Sequence, residues 1–414
     1  MKIVNLRSFL LSYVFGQPLR LPFWGGERII AKRDAMLIRV QADNGLVGYG
    51  PGPASEQAQR LIEEVIAPFL EGKTLADPDA LRVLFTQGPG RQHPEAIKPY
   101  CAVEIALYDL LGKALAVPVS ELLGGRVRDR IRVYGSAGMY QSARGYAEEA
   151  AAVAAMGFPA YKMRPALGPE GDLEAVRLMR EAVGADRELM VDAHAWWRMG
   201  DRSYDWDTVE RLAQQMAAYR IAWLEEPWPP EDHAAYHRLK EKGYVPLASG
   251  EHEPSYESFL DLIHNDCVHY VQMDICCQGG YAGGRLLLAE IARQSLRFAF
   301  HSWGTALELI AAAHLGVCWP ETVVEWLEYP CYSNVGRPGM YPFPLAEEIL
   351  REPLQLDKGE LLVPAEPGLG VQVNEDVIER YPWSPGPWTW FRLDSPPETL
   401  YVTSDHSIKW VSQG

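Results

Sequence analysis

The hydrophobic positions of the chain follow a pattern that changes near residue 130. Before that point, "IVNLRSFLLSYVF" and "DAMLIRVQADNGLVGYG" are predicted to be strands, and Asn44-Gly45 is a strong hairpin signal. "SEQAQRLIEEVIAPFLEG" and "AVEIALYDLLGKAL" follow the helical period instead. This first part is predicted to be an α+β unit. Its stretch rich in Gly, Pro and aromatic residues, "GQPLRLPFWGGERIIAKR", is predicted to be a loop of the kind that often contacts ligands.

After residue 130, short β-rich runs alternate with helical stretches such as "DLEAVRLMREAVG". The eight strand candidates are "RIRVYGSAG", "AYKMR", "ELMVDAH", "IAWLEEP", "VPLASGE", "HYVQMD", "RFAFHSW" and "TVVEWLE". Repeated βα units at this spacing are typical of an α/β barrel. The rival is an open doubly wound sheet, which usually has fewer strands and a Gly-rich phosphate turn after the first, and the sequence shows neither. We therefore predict an α/β fold of the TIM-barrel type.

The pattern changes again after Pro330. "LQLDKGELLVPAEPGLGVQV" is predicted to form a hairpin and not another βα unit. From Tyr381 onward the chain is rich in Pro and Trp and lacks clear periodicity. We expect this tail to be an irregular extension that packs over the surface or a neighbouring subunit.

Composition narrows the class of protein. The 414 residues are 48% hydrophobic and 23% charged, which is ordinary for a soluble globular protein. The net charge of -16, without any run of Lys or Arg, argues against a nucleic-acid partner. The six cysteines match no zinc template and suggest reduced core thiols of a cytoplasmic protein. Because no apolar stretch reaches membrane-spanning length and "FLLSYVF" has no cleavage site behind it, we expect no membrane span and no signal peptide.

Acidic residues end three successive strands of the predicted barrel. Asp192, Glu225 and Glu251 each stand at the C-terminal end of a run, which is the end that carries barrel active sites. For any one of them alone, a helix cap or a surface charge is the favoured interpretation. Three converging carboxylates repel one another unless a cation lies between them, and oxygen ligands suit Mg²⁺. Glu225 is preferred to Glu226 as a ligand, because Pro227 is expected to hold Glu226 extended and alternation sends the two side chains to opposite faces.

Two further pairs of ionisable residues stand at strand ends. Asp274 and His301 end the sixth and seventh runs, so a hydrogen bond between them is feasible, and it would leave one imidazole nitrogen free as a base near neutral pH. Lys162 and Arg164, in "KMR", point to the same face and need anionic partners. Arg164 stays protonated in proteins, so a base on that face would have to be Lys162.

These segments resemble the enolase superfamily and, within it, the mandelate racemase subgroup. "YKMR" is similar to the subgroup's K-x-K motif with Arg in the second place. "VDAH", "WLEEP" and "GEHE" resemble the three metal-ligand segments, "QMDICCQGG" and "AFHSWG" resemble the strands of the His–Asp dyad, and "WLEYP" resembles the strand that carries the last acid. The resemblance implies that Asp192, Glu225 and Glu251 bind Mg²⁺, that His301 and Asp274 form the dyad, and that Glu328 is the last acid.

The resemblance also implies an architecture. We expect a modified TIM barrel, (β/α)7β, over residues 129–335. An α+β capping domain would be built from residues 1–128, with residues 336–414 completing the cap and ending in the irregular tail. Members of this family are often dimers or octamers, so a homo-oligomer is expected.

The shared first step of the family is removal of the proton next to a carboxylate, with Mg²⁺ stabilising the enediolate. Lys162 is expected to neutralise the substrate carboxylate, and Glu328 to hydrogen-bond an enediolate oxygen if it is protonated. Arg164 departs from the racemase pattern because it is ill suited to carry protons. His194, two residues after Asp192 on the same strand face, resembles a D-x-H arrangement of sugar-acid dehydratases and is expected to protonate a departing hydroxyl. The alternative for His194 is a polar contact to the substrate without proton transfer.

We therefore predict a Mg²⁺-dependent dehydratase of a sugar acid, an aldonate or an aldarate, that forms a 2-keto-3-deoxy acid. Trp24 and Arg28 of the cap, together with Lys162, Arg164 and His252, are predicted to contact the substrate. One alternative is a racemase or epimerase of a 2-hydroxy acid on the same scaffold. The other is a relative that binds a ligand without catalysis, which would require a broken metal site or dyad.

Overall fold

The computed structural model describes residues 1–23, 26–139, 141–165, 167–198, 202–331, 343–394, 397–402 and 408–410. Two sheets organise these residues. One is a closed barrel of parallel strands, and the other is a separate antiparallel sheet built from both ends of the chain. The predicted fold class, a TIM barrel with a capping domain, is confirmed.

The barrel contains the eight predicted strands in chain order, and it closes because the last strand pairs with the first. The strands are β4 (Arg130–Met139), β5 (Ala160–Arg164), β6 (Glu188–Asp192), β7 (Trp223–Glu225), β8 (Leu247–Ser249), β9 (Tyr270–Met273), β10 (Arg297–Phe300) and β11 (Val324–Pro330). Nearly all of their residues are buried, as expected for parallel strands covered by helices.

The interior of the barrel is layered, and the layers explain where the ionisable groups lie. Each strand contributes one residue to an apolar layer: Tyr134, Ala160, Met190, Trp223, Ala248, Tyr270, Ala299 and Trp326. Three alanines stand among five large side chains in this layer, which fills the barrel without a pore. Side chains two positions apart share a strand face. The next inward positions are therefore polar and lie above the apolar floor; they include Lys162, Asp192, Glu225, His301 and Glu328.

Helices surround the barrel between successive strands. They are α7 (Ala143–Ala155), α8 (Pro169–Val183), α9 (Trp206–Met216), α10 (His233–Glu241), α11 (Tyr256–His264), α12 (Gly280–Arg293) and α13 (Ala306–Gly316), with short 3-10 turns at His194–Trp196 and Ala217–Tyr219. Amphipathic spacing gives them their buried faces; α9, for example, buries Val209, Leu212, Ala213 and Met216. No helix among the described residues is long and apolar enough to cross a membrane.

The cap consists of helices packed on the antiparallel sheet. Its helical segments are α1 (Glu56–Leu61), a π-helical turn (Ile62–Ile66), α2 (Ala67–Leu70), α3 (Pro78–Gln87), α4 (Pro89–Gln92), a 3-10 turn (Pro94–Ala96), α5 (Ile97–Leu115) and α6 (Val119–Leu122). The sheet begins with β1 (Ile3–Phe23), β2 (Gly26–Ala42) and β3 (Val47–Gly52). Buried Glu104 of α5 accepts hydrogen bonds from Arg82 of the cap and from the Ala282 backbone N–H of α12, and so ties the cap to the barrel.

The prediction of a long loop between the first two strands is wrong. Its described residues continue β1 and β2, which pair as far as Phe23 with Gly26. The irregularity that Gly and Pro suggested is confined to a register shift between the Val14 and Leu19 pairs. A third strand pairs along the other side of β2, and hydrogen bonds on both sides outweigh the local composition. Trp24 lies outside the described residues.

The C-terminal region also differs in part from expectation. The predicted hairpin is present as β12 (Leu356–Asp357) and β13 (Glu360–Leu362), and β13 joins barrel strand β4. Short helices α14 (Pro344–Glu348) and α15 (Val377–Arg380) flank it. The tail is not irregular where it is described: β14 (Thr389–Asp394), β15 (Pro397–Val402) and β16 (Ile408–Trp410) extend the cap sheet beside β2. The reason is that β1 pairs with only one edge of β2, and β14 pairs with the other edge. The local sequence pattern of the tail does not reveal this pairing. The predicted boundaries after residues 128 and 335 stay predictions.

Candidate active site

Three carboxylates meet at the C-terminal end of the barrel. Asp192 and Glu225 are the last residues of β6 and β7, and Glu251 follows β8 after Gly250. One carboxylate oxygen from each lies within 4.8 Å of the others. Gly250 allows this placement, because its φ of +140° favours glycine and a Cβ there would lie 2.1 Å from the Gln272 carbonyl oxygen. The arrangement matches the one predicted for the metal ligands.

The same carboxylates suit a divalent cation. Asp192 Oδ2 and Glu251 Oε2 are buried and accept no well-aligned hydrogen bond from the described residues, although Arg164 Nε lies 3.1 Å from the first and His301 Nε2 lies 3.2 Å from the second. Glu225 is held from two sides, since Lys162 Nζ lies 2.7 Å from Oε1 and the Trp223 indole donates to Oε2 at 2.9 Å. Burial and the neighbouring acids raise the pKa of Glu225 to about 8, although Lys162 opposes the shift. Oxygen donors gathered in this way fit a hard divalent cation.

Lys162 is the central cation of the site. It is fully buried, and its Nζ lies 3.1 Å from Glu328 Oε1 and 3.5 Å from Asp192 Oδ2, in addition to its contact with Glu225. Burial alone would lower the pKa of Lys162, but Glu225 and Glu328 raise it well above its ordinary value. Lys162 is therefore charged near neutral pH and serves as a fixed positive group.

His301 and Asp274 lie on neighbouring strand ends, as predicted. His301 Nδ1 is 3.2 Å from Asp274 Oδ2, while Nε2 faces Glu251 Oε2 at 3.2 Å and Glu328 Oε2 at 3.8 Å. Burial lowers the pKa of His301, but Glu251 and Glu328 outweigh burial and raise it to about 10. The imidazole thus turns one nitrogen to Asp274 and the other to the carboxylates of Glu251 and Glu328.

Arg164 and Glu328 pair on the other side of the site. Arg164 Nη2 lies 3.0 Å from Glu328 Oε1, its Nε lies 3.1 Å from Asp192 Oδ2, and its guanidinium stacks on Trp303 at 4.0 Å. Burial would raise the pKa of Glu328, but Lys162, His301 and Arg164 hold it below its ordinary value. Glu328 was expected to donate a hydrogen bond to an enediolate oxygen if it is protonated. The neighbouring positive charges favour its ionised form, which can only accept hydrogen bonds.

His194 contacts the predicted metal ligand that precedes it. His194 Nδ1 lies 2.7 Å from Asp192 Oδ1. Burial lowers the pKa of His194 below its ordinary value, although Asp192 opposes the shift. The neutral imidazole that results donates through Nδ1 to Asp192, which leaves Nε2 as the nitrogen that could exchange a proton with a ligand.

His252 contacts acids beside the ligand cluster. Its Nδ1 lies 2.7 Å from Glu226 Oε2 and 3.4 Å from Glu251 Oε1, and Arg198 contacts its Nε2. Glu226 is not extended as predicted, because its φ of +41° turns the chain as β7 ends. The carboxylate of Glu226 is buried and holds His252, so it supports the wall around Glu251.

A cavity of about 650 Å³ opens above these groups, and both the barrel and the cap line it. Its barrel side includes Arg164, His194, Glu251, His252, Asp274 and His301, and its cap side includes Arg28. The volume is typical of a site for a small molecule. The cavity brings together the described residues predicted to contact the substrate, except Lys162, which lies beneath it.

Sequence reasoning missed several residues of this wall. Arg33, Arg198, Trp303, Glu308 and Trp388 also line the cavity. Trp303 stands two positions after His301, so strand spacing could have found it. Arg33 and Trp388 meet only through pairing between the two ends of the chain, for which the sequence carries no local signal. Burial and Asp274 raise the pKa of Glu308 to about 8, which marks a further acid beside the dyad.

Comparisons with known proteins show which family the chain resembles over most of its length. Residues 145–377 match the enolase C-terminal domain-like family, and residues 14–124 match the N-terminal domain of mandelate racemase and muconate lactonizing enzyme. An L-rhamnonate dehydratase from Saccharopolyspora erythraea is 30% identical, with 84% of this chain and 85% of the relative covered. A D-galactarolactone cycloisomerase from Agrobacterium fabrum is 28% identical, with 92% of this chain and 99% of the relative covered.

A solved structure shares the whole arrangement of cap and barrel. The 3,6-anhydro-D-galactonate cycloisomerase from Zobellia galactanivorans superposes with a TM-score of 0.79 at 28% identity, covering 93% of this chain and all of that one. The described fold, the family matches and the relatives agree: the chain belongs to the mandelate racemase/muconate lactonizing enzyme family of the enolase superfamily.

Proposed function

We propose that the protein is a lyase, a Mg²⁺-dependent dehydratase of a sugar acid. The observation that carries the proposal is the meeting of three carboxylates with an Asp-oriented imidazole at one cavity: His301 Nε2 lies 3.2 Å from Glu251 Oε2, one of the proposed metal ligands. A base and a cation site this close can act on the same substrate carbon and its carboxylate. Family membership and a relative named as a dehydratase support the reaction class.

Asp192, Glu225 and Glu251 would hold the cation. Once bound, it supplies fixed positive charge that stabilises the negative charge developing on the substrate carboxylate and, by offsetting Glu251, lowers the pKa of His301. Asp274 orients His301 through Nδ1, which leaves Nε2 to take the proton alpha to the carboxylate. Lys162 and Arg164 add positive charge from the floor and side of the site.

His194 is the proposed acid of the elimination. To act as an acid, the neutral imidazole must first take up a proton at Nε2, while Nδ1 keeps its hydrogen bond to Asp192. Nε2 would then give that proton to the hydroxyl on the beta carbon as the carbon–oxygen bond breaks, so that water leaves and His194 returns to its neutral form. The electron pair of the broken carbon–hydrogen bond forms the new double bond. The resulting enol then takes a proton and becomes a 2-keto-3-deoxy acid. If His194 only binds the substrate, another group must deliver the proton.

A substrate screen tests the proposal. Aldonates and aldarates are incubated with the protein and Mg²⁺, and keto acid is detected as its semicarbazone. We expect one or a few acids to be turned over. His301→Asn should abolish both turnover and exchange of the alpha hydrogen in deuterated water, whereas His264→Asn, at an exposed histidine of α11, should retain both. Retained exchange in His301→Asn would remove His301 as the base.

A racemase or epimerase is less well supported. It needs a second base across the substrate from His301, and the candidates are Lys162 and Arg164. Three carboxylates within 3.5 Å keep Lys162 protonated, and Arg164 does not give up its proton. Substrate recovered from deuterated water is therefore expected to keep its configuration at the alpha carbon, even where deuterium has been incorporated. Chiral analysis of the recovered substrate measures this.

A cycloisomerase is a second candidate, because two relatives that cover almost the whole chain carry that name. Product mass separates the two reactions. A dehydration product is lighter than its substrate by one water, whereas a cycloisomerisation product has the same mass as its cyclic substrate. Mass spectrometry of the products from acyclic sugar acids and from their lactones or anhydro derivatives decides between them.

Two further expectations belong to this proposal. The protein is expected to act in the cytoplasm and to assemble as a homo-oligomer, a dimer or an octamer. Light scattering in solution tests the second expectation directly.

A further inference from the structure

One glutamine side chain joins two parts of the candidate active site. Gln278 lies in the turn between β9 and α12, and its side chain is half-buried. Its amide nitrogen Nε2 donates to the carbonyl oxygens of Gly250 at 3.0 Å and Glu253 at 2.8 Å. Its amide oxygen Oε1 accepts from the Asp274 N–H at 3.0 Å. This single amide therefore bridges the turn that follows β8 and the residue that follows β9.

The turn that follows β8 presents Glu251, one of the proposed metal ligands. The Glu253 N–H donates to the Gly250 carbonyl at 3.0 Å, which closes the turn, and Gln278 binds both of its ends. The carboxylate of Glu253 is buried, and His233 Nε2 holds it from the neighbouring helix at 3.0 Å. Because the backbone is fixed on both sides of Glu251, its carboxylate is preorganised for a cation.

The same residue also fixes Asp274, whose carboxylate contacts His301. The Gln278 N–H donates to the Asp274 carbonyl at 2.7 Å, while its side chain accepts from the Asp274 N–H. The Cys276 N–H donates to Asp274 Oδ1 at 2.8 Å, and Asp274 Oδ2 faces His301 Nδ1 at 3.2 Å. Hydrogen bonds from one short turn thus determine how this carboxylate meets the imidazole.

The three side-chain contacts of Gln278 require a carboxamide. Two backbone carbonyls accept and one backbone N–H donates, so the side chain between them must offer two N–H donors and an acceptor. An ionised Glu of the same shape has no donor, and an apolar side chain has neither donor nor acceptor. The bridge therefore depends on the amide and not only on the volume of the side chain.

The bridge supports the contact between the metal-ligand cluster and the proposed base. His301 Nε2 lies 3.2 Å from Glu251 Oε2. Gln278 fixes the backbone on the Glu251 side of this contact, and it fixes Asp274 on the His301 side. Removal of a proton next to a cation-bound carboxylate requires both groups in one geometry, and a misplacement of about 1 Å can cost roughly 100-fold in rate.

We propose that Gln278 is a positioning residue, which sets the distance between the proposed cation site and the base His301 by holding the Glu251 turn and Asp274 in one frame. The inference rests on the proposed function for the roles of these groups. It adds that cation binding and proton removal depend on the same amide, although Gln278 is neither a proposed ligand nor the base.

Gln278→Met tests the inference, because Met has a similar size and lacks the amide. The dissociation constant of Mg²⁺ is measured by calorimetric titration of the metal alone. We expect it to rise on the order of 10- to 100-fold, the usual effect of removing a group that orients metal ligands. At saturating Mg²⁺, kcat for a sugar acid found in the screen should fall by a larger factor than KM changes, because the base is displaced while the substrate contacts remain.

Asn374→Leu is the matched control, because Asn374 forms the same kind of amide bridge. It is buried, its Nδ2 donates to the Glu348 carbonyl at 2.9 Å, and its Oδ1 accepts from the Asp376 N–H at 3.3 Å. It does not line the cavity. The control should leave Mg²⁺ affinity and kcat unchanged even where it loses stability. Equal losses in the two variants would give Gln278 a general structural role and overturn the inference.

The outcomes separate this inference from the proposed function. If the parent protein binds Mg²⁺ but turns over no sugar acid, the dehydratase proposal fails, and a raised dissociation constant in Gln278→Met still supports the bridge. An unchanged dissociation constant, or an unchanged kcat at saturating Mg²⁺ where turnover is found, overturns the inference and leaves the dehydratase proposal standing. A parent protein that binds no Mg²⁺ would refute the cation site and this inference together.

Circular dichroism of each variant confirms that it is folded. If Gln278→Met does not fold, Gln278→Asn takes its place, since its amide is one methylene shorter and cannot span the same three contacts. The dissociation constant of Mg²⁺ should rise in that variant too, and an unchanged value would overturn the inference.

Discussion

Replacing Lys162 with Met should destabilise the protein strongly, and Mg²⁺ should reverse much of the loss. Lys162 Nζ is fully buried and has three carboxylates within 3.5 Å, those of Asp192, Glu225 and Glu328. Removing one partner of a buried ion pair costs about 3–5 kcal/mol because the remaining charge stays buried. Met fills a similar volume, so the loss reports charge and not a cavity. Against a total stability of roughly 5–15 kcal/mol, this change is large.

The response to Mg²⁺ is the specific part of this prediction. A ligand that binds only the folded state adds stability of RT ln(1 + [L]/Kd), which is about 2.7 kcal/mol at a hundredfold excess over Kd. In the Lys162→Met variant Arg164 still faces Asp192 and Glu328, but Glu225 loses the cation that lies 2.7 Å from it, so bound Mg²⁺ would become its counter-charge. We therefore expect Mg²⁺ to raise the free energy of unfolding more in the variant than in the parent protein.

Urea unfolding followed by circular dichroism, with and without Mg²⁺, measures both effects. Lys113→Met is the matched control, since Lys113 Nζ lies 2.6 Å from buried Asp109 in the cap, away from the cluster. It should lose stability without any change in the Mg²⁺ increment. Two results would show that Lys162 is not the counter-charge of the cluster. One is a loss of unfolding free energy below about 1 kcal/mol in Lys162→Met, which is the size of an exposed ion pair. The other is an unchanged Mg²⁺ increment.

Three further predictions concern the ligand loop, the proposed acid and a structural histidine. Gly250→Ala should displace Glu251, because its Cβ would meet the Gln272 backbone, and should weaken Mg²⁺ binding at least tenfold by calorimetry; Gly243→Ala, also at positive φ but in open space, should leave affinity unchanged. His194→Asn should slow dehydration far more than alpha-hydrogen exchange, and equal losses would make His194 a binding residue. Burial lowers the pKa of His314 to about 4, below the ordinary 6.5, so the unfolded chain takes up the proton first. The contribution of this residue to the free energy of unfolding should therefore be complete above pH 6.5 and fall by about 3 kcal/mol between pH 6.5 and 4. This part of the fall should vanish in His314→Gln. An unchanged pH profile of unfolding in that variant would contradict the assignment.

The sequence alone was enough to predict the barrel and the convergence of its strand-end acids. Alternating βα patterns identified all eight strands, because parallel strands and their covering helices carry strong local hydrophobic periods. The acids stand at strand ends, and closure of the barrel brings strand ends together. Asp192, Glu225 and Glu251 could therefore be grouped before their distances were known, and the structure sets one oxygen of each within 4.8 Å.

The cap was harder to predict. The Gly- and Pro-rich stretch before residue 34 favoured a loop, and the tail after Tyr381 favoured irregular structure, yet both contribute strands to one sheet. Their pairing is between segments more than 300 residues apart, as for Arg28 opposite Phe391. No local pattern records such a pairing, because each strand is stabilised by hydrogen bonds to the other.

The protonation states of the ionisable side chains and their charge partners were likewise determined only by tertiary contacts. The sequence determined which residues can ionise and at which strand ends they stand. Burial and neighbours then determined that Lys162 is held charged among three acids, that Glu328 is ionised, and that Arg28 and Arg33 share the ring of Trp388. Local periodicity reports the face on which a side chain lies, whereas its pKa and its partners depend on distances across the fold.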